Sequence, residues 1–127
     1  MKQITKEMLK IYQPISNLDW LNYKIVKKDL TFHHIVKKAE GGKQELSNGA
    51  LLMPIGHQYL HVIEFKDYKI YKYINDMFRI VNNQRYEPTK EQRETIEYLL
   101  MSFEKKYIND KTSKGKKLIK ESYLTRW

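Results

Sequence analysis

Cysteine is missing from this sequence. Disulfides and thiolate zinc sites are therefore excluded, and any metal must be held by histidine, carboxylate, amide or water. There is also no apolar run near the roughly 20 residues that cross a bilayer, so no membrane partner is expected. The opening residues MKQITKEMLKIY carry no apolar stretch of the kind a secretory signal needs, and a cytoplasmic protein is expected. Internal repeats and low-complexity blocks are absent as well.

What remains is a soluble, globular balance of 41% apolar and 31% charged residues over 127 positions, enough for one domain and short for two. Ten tyrosines, four phenylalanines and two tryptophans can fill a small core. The net charge is +9, and it is unevenly placed. Residues 105–127 hold eight Lys or Arg against two acids, which leaves only +3 for the first 104 residues. A basic tail of this kind suits phosphate backbones, with salt-sensitive and sequence-independent affinity. A merely solubilising tail is the competing explanation.

Residues 5–12 predict a short helix, closed by Pro14, which cannot continue helical hydrogen bonding. Residues 18–28 fit helical spacing and strand alternation equally. Residues 30–36 (LTFHHIV) are β-branched and aromatic and predict a strand. Residues 37–47 predict a loop, with Gly41 and Gly42 freeing the backbone. Residues 49–53 predict a second strand paired with the first. From His57 onward, Leu60, Ile63, Ile70, Ile74, Met77 and Val81 recur at helical spacing. A bend between Phe65 and Tyr68 leaves one long helix or two. Asn82, Asn83 and Gln84 break the pattern. After Pro88, Thr89 and Gln92 have the spacing of a capping box. Ile96, Leu99, Leu100, Phe103 and Tyr107 then form the stripe of a last helix. The expected division is a single domain over 1–109, with its core at about 30–83, and a basic, flexible tail over 110–127.

All four histidines lie between positions 33 and 61, as the adjacent pair His33-His34 and the i,i+4 pair His57 and His61. Residues four apart on a helix share a face, with Cβ atoms about 5–6 Å apart, which suits two imidazoles on one ion. A strand–loop–strand–helix unit would bring His33 to the same ion. Three neutral imidazoles plus water or phosphate form an open, catalytic kind of site. His34 is left for proton transfer, with an ordinary pKa of about 6.5. An H-x-x-x-H pair or an HH dipeptide alone is more often structural or surface. The signal is their combination with the Gly-Gly loop and Asn48 between them.

The stretch LTFHHIVKKAEGGKQELSNGALLMPIGHQYLH resembles an HNH endonuclease core, the ββα-metal finger. It shares the histidine pair ending one strand, the glycine-containing loop, the asparagine entering a second strand, and the H-x-x-x-H helix. The three-histidine ligand set is most similar to that of the colicin-type nucleases. The resemblance implies an α+β fold, a ββα-metal core flanked by additional N- and C-terminal helices. It implies metal ligation by His33, His57 and His61, a general base in His34, and Asn48 tying the loop to the strand. The implied reaction is hydrolysis of a DNA phosphodiester, leaving 5′-phosphate and 3′-hydroxyl ends. The implied cofactor is one divalent ion. Zn, Ni and Mn suit imidazole better than Mg by softness, although the tightest binder need not be the working ion.

Three departures stand out. Many relatives carry CxxC pairs around a structural zinc, so here the flanking helices must stabilise the core by apolar packing. Gly56 stands where numerous relatives have cysteine. No acid precedes the histidine pair, since Phe32 does and Asp29 lies further back; Glu64 and Asp67 are the candidates for a carboxylate that orients a ligand. Lys37, Lys38, Lys43, Arg79 and Arg85 are weaker candidates for contacts to nucleic acid, and each is also explained as a solvated charge. Tyr59, Tyr68, Tyr71 and Tyr73 could stack on DNA but suit the core better.

Three functions compete. One is a hydrolytic DNase, for which a homodimer would suit double-strand cutting. Another is a catalytically silent HNH-fold protein that binds DNA or acts as an inhibitor. The last is a purely structural metal site, which leaves His34 without a task. A phage or mobile-element setting is compatible with the first.

Overall fold

Helix α1 (Gln3–Tyr12) forms where Ile4, Met8 and Tyr12 recur every fourth residue, and all three are buried on one face. This is a computed structural model describing residues 1–107; the expected tail over 110–127 lies outside the described residues. Residues 18–28 take neither of the two forms their pattern allowed. They make a looped segment with one isolated bridge, Leu18 to Lys24. The cause is Asp19, whose Oδ1 accepts from the Leu21 and Tyr23 amides, both at 2.8 Å. A side chain that satisfies neighbouring amides in this way competes with helix and sheet ladders. Asn22 completes the turn with φ 68°, in the left-handed region that asparagine tolerates.

Strands β1 (Thr31–His34) and β2 (Gly49–Leu52) pair antiparallel, with Thr31 opposite Leu52 and His34 opposite Gly49. β1 is shorter than the apolar run because the next two amides turn to Asn48. The Ile35 amide donates to the Asn48 carbonyl at 2.9 Å and the Val36 amide to its side-chain Oδ1 at 2.8 Å. Asn48 Nδ2 donates in return to the Val36 and Lys43 carbonyls, at 3.0 and 2.9 Å. The two loop glycines are needed for different reasons. Gly41 has φ 86°, while a Cβ on Gly42 would stand 1.8 Å from the Val36 carbonyl oxygen.

Helix α2 (Pro54–Lys66) starts three residues ahead of His57, because Pro54 occupies the first turn, where a missing N–H costs nothing. The bend separates two helices. Asp67 ends α2 and accepts from the Ile70 amide at 3.2 Å, capping α3 (Tyr68–Gln84). Asn82 to Gln84 do not break α3 but form its last turn. The buried Asn82 donates to the Leu46 and Gly49 carbonyls, at 2.7 and 2.8 Å, and so ties α3 to β2. Helix α4 (Lys90–Tyr107) opens with the expected capping box: Gln92 Oε1 accepts from the Thr89 amide at 2.9 Å, and Thr89 Oγ1 accepts from the Gln92 amide at 3.2 Å.

The described residues thus form a mixed α+β fold of four α-helices and one two-stranded sheet. No helix among them is long and apolar enough to cross a membrane. Leu60, Ile63, Ile74, Phe78, Val81, Ile96, Leu100 and Phe103 close the core around the hairpin.

Apolar packing is joined by a buried polar network. Asp19, fully buried, also accepts from the Met53 amide at 2.7 Å, which fixes the residue ahead of α2. Burial pushes its carboxyl up to about 7, against three backbone amides and Arg93, all of which favour the anion. Arg93, on α4, donates to the carbonyls of Asp19 and Leu18, to Asn22 Oδ1 and to Ser16 Oγ, at 2.7 to 3.3 Å. Gly56 lets this segment approach, since a Cβ there would stand 3.0 Å from the Tyr23 ring.

Candidate metal centre

Alternation along β1 sends Thr31 and His33 to one face and Phe32 and His34 to the other. The first face meets α2 and α3. There the buried His33 ring lies 5.4 Å from the His57 ring, at 89°, and 5.8 Å from Phe78. One turn along α2, His57 and His61 stack at 5.0 Å. Two imidazoles bonded at about 2.0–2.1 Å to one tetrahedral ion hold their ring centroids about 5 Å apart. The spacing of these neighbours therefore suits a shared ion. Among the described residues, no group of three His, Asp or Glu side chains is already arranged to hold one; the rings touch in sequence instead.

Hydrogen bonding shows which nitrogens are left to ligate. Thr31 Oγ1 lies 2.7 Å from the Leu52 carbonyl, which can only accept, so the single hydroxyl proton goes there. Toward His57 Nδ1, 2.9 Å away, the same oxygen must accept. Nδ1 therefore carries the proton, and the lone pair of His57 is on Nε2. His33 Nε2 lies 2.8 Å from Asn75 Oδ1, an acceptor, so Nε2 is protonated and Nδ1 holds the lone pair. The amide orientation of Asn75 is fixed independently, because its Nδ2 donates to the Ile35 carbonyl at 3.3 Å. His61 Nδ1 faces Glu64 Oε1 at 3.4 Å, and Glu64 also pairs with Lys37. Each ring thus has an oxygen acceptor at one nitrogen, the arrangement that orients histidine ligands. The donor set fits a divalent ion that favours imidazole. Of the two candidate carboxylates, Glu64 lies against the His61 ring, whereas Asp67 is taken by the α3 cap, Lys106 and Tyr107.

Burial holds His33 down to about 4, with smaller contributions from His57, His61 and His34. Burial likewise lowers His57 to about 4, helped by His61 and His34. Both rings are thus neutral at pH 7, as a ligand must be. A histidine depressed by folding contributes stability that is present above its unfolded pKa of about 6.5 and is lost as the pH falls toward the folded value. Metal-free protein should therefore weaken between about pH 6.5 and 4, by roughly 3 kcal/mol for His33 alone. Asp19, raised to about 7, works in the opposite direction over the same interval, so the comparison must be internal. Urea midpoints of the wild type and of His33→Gln, measured across that range, should differ by one proton's slope. Parallel curves would refute this.

His34, at the end of β1, packs edge-on against Phe32 with centroids 4.9 Å apart. Its Nε2 is buried without a hydrogen-bond partner. Burial and the nearby Lys38 and Lys2 lower its pKa, which favours the neutral, proton-accepting form. Asn48 lies outside the ring cluster and holds the loop behind it. Lys37 joins the cluster's edge through Glu64, whereas Lys38, Lys43, Arg79 and Arg85 are exposed and Arg85 closes α3 at its far end. Tyr59 and Tyr71 are core residues, while Tyr68 and Tyr73 are exposed.

Sequence reasoning missed Thr31 and Asn75. Thr31 had a usable signal, since two residues before His33 on a strand means the same face. Asn75 is a polar residue beside Ile74 in a buried stripe, which marks it as bonded to something without saying to what. No family model matches the chain, and no curated protein or solved structure matches it.

Proposed function

We propose that this protein is a metal-dependent DNA endonuclease of the HNH class, with β1, β2 and α2 as its ββα-metal unit. The observation that carries the proposal is the run of rings His33–His57–His61 across the hairpin and α2, with an acceptor at one nitrogen of each ring. A divalent ion held by these histidines would supply positive charge to the phosphate and leaving oxygen. His34 takes the proton from the attacking water. Its partnerless Nε2 supports that role, as does the lowering of its pKa by burial and, to a lesser degree, by Lys38 and Lys2. Lys38 and Lys43, exposed on the loop after β1, and Arg79, exposed on α3, would contact the DNA backbone.

A catalytically silent DNA-binding or inhibitor protein on the same scaffold is the second reading. One observation favours it: His34 and His33 leave β1 on opposite faces, and the His34 ring rests on Phe32. A supercoiled-plasmid nicking assay with Mn²⁺, Mg²⁺, Ni²⁺ or Zn²⁺ separates the two. The nuclease should nick with at least one ion. His34→Ala should lower that rate at least ~100-fold, the low end of what general-base catalysis supplies, while metal binding persists. Folded wild-type protein that shifts DNA in a gel but cuts it with none of these ions would establish the silent reading.

A further inference from the structure

The three candidate ligands are not equivalent in how their rings are held. His57 is pinned through Nδ1, the ring nitrogen nearer the backbone, whereas His33 is pinned through Nε2, the nitrogen at the tip. We infer that the centre is of mixed ligation, with His33 binding through Nδ1 and His57 through Nε2, and that Asn75 and Thr31 are the positioning residues that impose this choice. The inference rests on the proposed metal site, but its first measurement needs neither metal nor cleavage.

Both assignments follow from proton counting. Thr31 has one hydroxyl proton, committed to the Leu52 carbonyl at 2.7 Å, so it can only accept from His57. Asn75 presents its carbonyl oxygen to His33 because its amino group is committed to the Ile35 carbonyl. Reversing either tautomer would set two lone pairs against each other, at a buried contact for His33 and a partly buried one for His57, and would cost each ring that hydrogen bond. Asn75 also fixes the backbone just beyond His34, since Ile35 is the residue that follows it. A single side chain on α3 therefore sets the His33 nitrogen left for an ion and, together with Asn48, holds the backbone where β1 ends. An ion on Nδ1 sits nearer the β1 backbone than one on Nε2, so the choice governs how close it comes to His34.

The test is a long-range ¹H–¹⁵N correlation spectrum of the full-length, ¹⁵N-labelled chain, first with chelator and then with Zn²⁺ added. The expected metal-free forms are Nε2–H for His33 and Nδ1–H for His57. Zinc should then shift His33 Nδ1 and His57 Nε2. A His33 ring protonated at Nδ1, or a His57 ring protonated at Nε2, overturns the inference even if zinc binds, and leaves the metal reading standing. The expected tautomers with neither ring responding to zinc overturn the mixed ligation by removing the metal reading itself.

Thr31→Val keeps the branched shape and removes the acceptor. It should give a mixture of His57 tautomers and weaken zinc binding by about 10–100-fold, while Thr31→Ser restores both. Asn75→Asp retains the acceptor oxygen toward His33 but loses the donor to the Ile35 carbonyl, so it should keep His33 Nε2 protonated while lowering the melting temperature. A merely structural role for Thr31 would lower the melting temperature of Thr31→Val without moving the His57 nitrogen signals, and that result would overturn its assignment.

Discussion

His57→Ala is expected to weaken divalent-metal binding at least ~100-fold and to abolish metal-dependent nicking, with little change in the metal-free fold. His57 is the middle ring of the three, in contact with His33 on one side and His61 on the other. Its removal leaves a buried ring and an exposed one with no ring between them. The structural cost is small by comparison. Thr31 keeps its bond to the Leu52 carbonyl, so the loss is one hydrogen bond, about 1 kcal/mol, partly offset by the helix propensity of alanine. Linkage makes the contrast measurable. At a metal concentration of 100 times the wild-type Kd, binding adds about 2.7 kcal/mol of stability, but only about 0.4 kcal/mol once affinity has dropped 100-fold. Thermal melts with and without Zn²⁺ should therefore show a clear upward shift for the wild type and almost none for the variant. An equal shift in both would remove His57 from the site. His61, with its side chain 58% exposed, provides the milder comparison.

Arg93→Ala is expected to cost about 3–5 kcal/mol, the range found when one partner of a buried charged network is removed. Small domains have only about 5–15 kcal/mol in total, so the variant should be largely unfolded by mild denaturant. Arg93 is buried, and its guanidinium donates to the Leu18 carbonyl and to Asn22 Oδ1. It also offsets the buried Asp19 and Glu87 carboxylates. Without it, Asp19 keeps its amide donors but loses its countercharge, and Asp19 is what holds the Met53 amide at the start of α2. Arg93→Lys keeps the charge but cannot reach five acceptors with one ammonium, so it should recover only part of the loss. Urea unfolding followed by circular dichroism decides the matter; a loss below about 1 kcal/mol would mean that the network contributes little.

The sequence by itself determined what depends on near neighbours. The stripes of α1, α3 and α4, the Thr89–Gln92 box, the hairpin and the i,i+4 face of His57 and His61 follow from periods of 2 and 3.6 and from caps within a few residues. The segment around Asp19 defeated periodicity because a side chain, not a ladder, satisfies its amides.

Only the tertiary structure decided the rest. His33 meets Asn75 across 42 positions of the chain, and Arg93 meets Asp19 across 74. No pattern of apolar spacing encodes which distant acceptor a buried polar group will find, because hydrogen bonds require both partners in place and correctly oriented. The absence of cysteine announced that no thiolate zinc or disulfide would brace the histidine hairpin. That a carboxylate, a guanidinium and two asparagines do so instead became visible only once the helices had closed around it.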